Sequence, residues 1–163
     1  MHTTTGIAAI ASPSGEISLA HWERTMRRAI GAARLGQTVL ALAVFQQALA
    51  LARQLLGAPP PGRADDCVAA LVVSHHNLAD LQSEAGSAAL AAAQLGRAHE
   101  ALMAIVRDPA QDGALQRAAL RHSRETHAGL LRHLAEHGDH PLITRALRAG
   151  CLALGLAGGA TLH

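Results

Sequence analysis

The sequence contains no lysine and no tyrosine, and it has only one tryptophan and one phenylalanine. Without lysine, the chain lacks the lysine of phosphate-binding loops, the kinase lysine and the amine of Schiff-base enzymes. Trp22 and Phe45 are too few aromatic side chains for the stacking platforms that bind single-stranded nucleic acids. All 14 basic residues are arginine, and they interleave with 12 acidic residues to a net charge of +2. Because no basic block is present, we expect no nucleic-acid partner.

Cysteine and long apolar runs are also scarce. Cys67 and Cys151 form no motif, so we predict reduced thiols in a cytoplasmic protein rather than a disulfide framework. The N-terminal segment has no basic region ahead of its short apolar run, which argues against a signal peptide. No stretch offers about 20 uninterrupted apolar residues, so the sequence predicts no membrane span.

Helix-forming residues make up most of what is present. Half of the residues are hydrophobic, and the abundance of alanine and leucine predicts an all-α protein. Apolar periodicity, Ser18 as an N-cap, Pro141 in a first turn and loops rich in glycine and proline predict about six helices. We expect flexible tails at 1–17 and 156–163 and one helical domain at 18–155.

An internal repeat relates two parts of the chain at an offset of 50 residues. A repeat of this length is typical of stacked helical arrays. The aligned pairs are Gly36 with Gly86, Ala41 with Ala91, Phe45 with Leu95, and Ala48 with Ala98.

This pattern resembles the tetratricopeptide repeat (TPR), whose units are about 34 residues long. A glycine at the turn is followed by a small, a bulky and a small residue on the second helix of each unit. The run Asn77-Leu78-Ala79 matches the usual consensus of the family's first helix. The resemblance implies antiparallel helix–turn–helix repeats in a right-handed array. The units would be 18–57, 66–107 and 113–155, the last one degenerate around Gly138.

The resemblance also implies a function, which is the binding of a protein or peptide partner in a concave groove, as an adaptor or scaffold without catalysis or cofactor. The lysines with which the family binds a ligand's carboxylate are missing. Asn77 is the best candidate for a hydrogen bond to the backbone amide groups of a ligand. A chaperone for a secreted or aggregation-prone client, similar to those of bacterial type III secretion, is an alternative, and a homodimer is a second expectation. The predicted groove residues are Arg27, His76, Asn77, Asp80, Glu84 and Arg132.

Two adjacent histidines, His75 and His76, interrupt an apolar run. On a helix they point about 100° apart and cannot share a face. His75 falls on the buried stripe, which predicts a packed, hydrogen-bonded core histidine. His76, Asp80 and Glu84 follow at helical spacing on another side, as either a solvated face or a polar wall of the groove.

The segment HLAEH, with His133, Glu136 and His137, matches the H-x-x-E-H consensus of inverted zinc proteases. Two histidines at this spacing can hold one zinc ion while the glutamate acts as a base, so a metal-dependent hydrolase is a further alternative. We expect no metal site, because both histidines are predicted to face solvent. The predicted buried stripe of this helix consists of Leu120, His127, Leu131 and Leu134.

Overall fold

The structure, a computed structural model, describes the backbone of residues 17–159 and the side chains of residues 17–155. Within these residues the chain forms helices and no strand, which confirms the all-α class and the helix count. Residues 1–16 and 160–163, which include most of the two predicted tails, lie outside this range. The helices are α1 (Leu19–Arg34), α2 (Thr38–Gly57), α3 (Ala64–Glu84), α4 (Ala88–Arg107), α5 (Gly113–His137) and α6 (Pro141–Gly159).

Local signals account for the N-terminal ends of the first and last helices. Ser18 caps α1, because its hydroxyl accepts a hydrogen bond from the backbone N–H of His21 at 3.1 Å. Pro141 occupies the first position of α6, where its missing N–H costs nothing. The last helix continues to Gly159, so the first four residues of the segment 156–163, predicted to be a flexible tail, are helical.

The turns α1–α2 and α3–α4 have the same geometry. Gly36 and Gly86 have positive φ values of 71° and 80°, which glycine adopts without the steric cost of a side chain. The residue after each glycine donates its N–H to the carbonyl five residues back, at 3.0 Å for Gln37 and 2.8 Å for Ser87. This is the Schellman arrangement, and it turns each helix pair into a closed hairpin.

The hairpins α1–α2 and α3–α4 pack in chain order, and the main contact between them is made by α2 and α3. Helix α5 follows and packs against α4 and α3 of the second hairpin. The last pair is different, because α6 packs mainly on α4 and makes only a small contact with α5. Glycines permit this close approach. A Cβ atom on Gly150 would lie 2.5 Å from His99 Nε2, and one on Gly96 would lie 3.3 Å from the carbonyl oxygen of Leu142. The predicted third unit is therefore not packed like the first two.

The inward face of α5 differs from the predicted stripe. Leu120 and Leu131 are 43% and 46% exposed, and His127 is exposed, whereas His133 is only 5% exposed. The predictions of a buried Leu120, His127 and Leu131 and of an exposed His133 were wrong, because the face of α5 that packs against α3 and α4 is offset from the leucine stripe. The buried residues of α5 are Leu115, Ala118, Ala119, Ser123, Thr126, Gly129, Leu130 and His133.

Helix α2 is long and apolar enough, by length and composition, to cross a membrane. Core helices of globular proteins pass the same test. Seven of its residues are buried, and five of these, among them Phe45 and Leu49, belong to the core that α2 shares with α1 and α3.

Candidate functional site

Two depressions flank α3, one toward α1 and one toward α5. The α1–α3 pocket has a volume of about 330 Å³, and the α3–α5 pocket has a volume of about 60 Å³. Asp80 lines both, so the two pockets meet across the exposed edge of α3. The α1–α3 pocket is lined by Ile30, Ala33, Arg34, Phe45, Asn77, Asp80, Leu81 and Glu84.

The α1–α3 pocket combines an apolar floor with a charged rim. Phe45 and Leu81 are 3% and 8% exposed and form the floor. Asp80 and Glu84 are exposed and one helical turn apart, and no residue with a described side chain forms a salt bridge with either carboxylate. Arg34 lies on the rim from α1. The pocket can therefore receive an apolar side chain and place a polar or basic group near the two carboxylates.

Asn77 lies in this pocket but is already engaged within its own helix. Its Nδ2 donates to the carbonyl oxygen of Val73 at 2.9 Å. Such a bond to the preceding turn uses one of the two amide donors. A ligand would therefore meet the side-chain oxygen and the second N–H, or it would have to displace the Val73 bond.

His76 dominates the smaller α3–α5 pocket. The ring packs against the backbone of Gly129, where a Cβ would lie 3.2 Å from His76 Cε1. Its Nε2 is buried and has no hydrogen-bond partner in the described part of the chain. Burial lowers the pKa of His76, and the carboxylates of Glu125 and Asp80 oppose this shift. The remaining lining residues are Ala79, Asp80, Ser83, Ala91, Leu95, Gly129, Arg132, His133 and Glu136.

Five of the six predicted groove residues lie in these two pockets, and Arg27 does not. The side chain of Arg27 is 75% exposed, and its guanidinium lies 3.6 Å from the Glu23 carboxylate. His76 is half-buried, whereas Asp80 and Glu84 are exposed. These three residues therefore do not share one solvated face.

Twelve of the residues that line the two pockets are not among the predicted groove residues, and Leu81 and Gly129 are two of them. Leu81 follows Asn77 by one helical turn, so spacing alone could have placed it on the same face. Gly129 lies inside α5, where a glycine often indicates a close approach.

The histidine pair of the HLAEH segment does not belong to a larger ligand cluster. The rings of His133 and His137 lie with their centroids 4.6 Å apart and their planes tilted by 42°. Burial lowers the pKa of His133, and the neighbouring His137 adds to this. His137 Nε2 is 3.3 Å from the Ser83 hydroxyl. Across the described residues, no group of three or more histidine, cysteine or acidic side chains is arranged to hold a metal ion.

His75 meets its prediction as a core histidine. It is 1% exposed, and its Nδ1 lies 2.9 Å from Gln94 Oε1. Burial lowers its pKa to about 4, although the hydrogen bond with Gln94 acts in the opposite direction. The ring is therefore neutral at pH 7.

The fold and the pockets define a class, which is an all-helical protein with two pockets beside its third helix. Residues 20–163 match the model of the family described as Protein of unknown function (DUF2753). The chain belongs to this family. No curated protein and no solved structure matches the chain.

Proposed function

We propose that this protein is a TPR-like adaptor that binds a peptide segment of a partner protein in the groove along α3, without a chemical step. The observation that carries the proposal is the pair of pockets that meet at Asp80. The equal turns at Gly36 and Gly86 and the burial of the aligned residues on α2 and α4 support the repeat relationship. In this reading α5 and α6 close the end of a two-hairpin array, as terminal units do in helical repeats.

The chemistry of the groove specifies the peptide. An apolar side chain of the peptide inserts against Phe45 and Leu81, where it leaves water. An arginine or lysine of the peptide lies near Asp80 and Glu84, whose carboxylates attract a positive charge at the groove rim. Asn77 bonds the peptide backbone through its amide. A peptide with a free carboxylate and no basic residue is disfavoured, because two carboxylates already occupy the rim.

Selection from a displayed library of random 12-residue peptides tests this proposal. We expect enriched peptides to pair an apolar residue with arginine or lysine. Fluorescence polarisation then measures the affinity of the synthetic peptides. The double variant Asn77→Ala/Asp80→Ala should weaken binding at least about tenfold, the loss expected for central interface residues. Circular dichroism checks that helicity is unchanged.

The matched control is Gln54→Ala/Asp139→Ala, which removes one amide and one carboxylate at exposed positions that line neither pocket. This variant should bind as the wild type does. The groove assignment fails if no peptide is enriched, or if the groove variant and the control bind the selected peptides equally well.

A further inference from the structure

A third cavity lies away from the groove, where α2, α3, α4 and the start of α5 converge. Its volume is about 320 Å³, within the range of small-ligand sites. None of its lining residues lines either groove pocket. We call it the arginine cleft, and its lining residues are Arg53, Leu56, Gly57, Leu71, His75, Arg97, Ala101, Ile105, Gln111 and Leu115.

The charge of the arginine cleft has one sign. Arg53 from α2 and Arg97 from α4 both line it, and no acidic residue does. Neither guanidinium has a carboxylate within 4.0 Å in the described part of the chain. The nearby Asp108 bonds within its own loop, where its Oδ1 accepts from Ala110 N at 2.9 Å. Two unpaired positive groups at one concave surface create a potential that attracts an anion.

A buried polar group also lines the arginine cleft. His75 is 1% exposed, and its ring is held by the contact of Nδ1 with Gln94 Oε1. Because that oxygen accepts a hydrogen bond, Nδ1 carries the proton and Nε2 is left as an acceptor. The ring is therefore a fixed, neutral part of the cleft wall, and its NMR signals can report ligand binding.

The remaining walls are mostly apolar. Leu56, Leu71, Ile105 and Leu115 come from four different elements and surround the polar groups. Such walls favour an apolar ligand body, while guanidinium groups pair with carboxylate through two parallel hydrogen bonds. We propose that the arginine cleft is a binding site for a small organic carboxylate with an apolar body.

Ligand titrations followed by NMR test this proposal. The probes are benzoate and hexanoate, their neutral counterparts benzamide and hexanamide, and acetate as a charged head without a body. We expect benzoate and hexanoate to bind saturably and to shift the ring signals of His75 and the methyl signals of Leu71 and Leu115. The amides and acetate should bind at least about tenfold more weakly, because each lacks one of the two recognised parts.

Substitutions separate a specific site from general attraction. The variant Arg53→Gln/Arg97→Gln should lose benzoate affinity by about tenfold or more. The control Arg24→Gln/Arg28→Gln removes the same charge from exposed positions on α1, and its affinity should stay within about twofold of the wild type. Four outcomes overturn the proposal: no saturable shift, shifts confined to other residues, equal binding of benzamide, or equal losses in the two arginine variants.

Discussion

Gly150→Ala should destabilise the protein by separating α6 from α4. The added Cβ would lie 2.5 Å from His99 Nε2, whereas ordinary contacts are 3.4–4 Å, so the helices must part by about 1 Å. The ring has little freedom to move aside. It is 2% exposed, and its Nδ1 is held at 2.7 Å from Thr126 Oγ1.

Two opposing terms set the magnitude. Overpacking of a core contact costs about 1–3 kcal/mol, and replacing a helix-interior glycine by alanine returns about 0.5–1 kcal/mol. The net expectation for Gly150→Ala is a loss of about 0–2.5 kcal/mol in the free energy of unfolding, measured by urea denaturation followed by circular dichroism.

Gly31→Ala is the matched control for this prediction. Gly31 also lies inside a helix, but an added Cβ would meet nothing within 4 Å. This variant should gain about 0.5–1 kcal/mol. If Gly150→Ala gains as much stability as Gly31→Ala, the close contact between α4 and α6 is wrong.

Two further predictions use the buried polar groups of α3 and α4. Burial holds the pKa of His75 and His99 at about 4, below the ordinary 6.5. The unfolded chain therefore binds protons that the folded chain does not, and stability should fall as the pH drops from about 6.5 toward 4. The slope is about 1.4 kcal/mol per pH unit for each histidine, and equal urea midpoints at pH 7.5 and 5.5 would contradict this. Ser74→Ala should cost about 1–2 kcal/mol, because the indole N–H of Trp22 loses the hydroxyl that accepts its hydrogen bond at 2.8 Å. Urea denaturation followed by Trp22 fluorescence measures this loss. The control is Ser87→Ala, where the hydroxyl makes no cap bond, and it should cost less than about 0.5 kcal/mol in the same assay. Equal losses in the two variants would argue against the Trp22 contact.

The groove could be predicted in part. Asn77, Asp80 and Glu84 recur at helical spacing, so their shared face on α3 follows from the sequence alone. The partners across the pocket could not be derived in that way. Arg34 and Phe45 reach it from two other helices, and the angle at which those helices pack places them there. Arg27 precedes Arg34 by about two helical turns, yet it lies outside both pockets.

Helix α5 shows where apolar patterning misleads. Leucines at helical spacing predict a buried face, yet Leu120 and Leu131 are on the surface. Thr126 and His133 are buried instead, and Thr126 has His99 as its hydrogen-bond partner. Hydrophobicity ranks side chains by transfer free energy, whereas closely packed helices also select them by size and hydrogen-bonding partner.

The sequence by itself determined the helices and the closed turns at Gly36 and Gly86, because these depend on interactions between residues a few positions apart. Only the tertiary structure decided that α6 lies on α4 and that Arg53 and Arg97 share a cleft with His75. Those arrangements join residues far apart in the chain. Shape complementarity between whole helices selects such arrangements, and no local pattern encodes it.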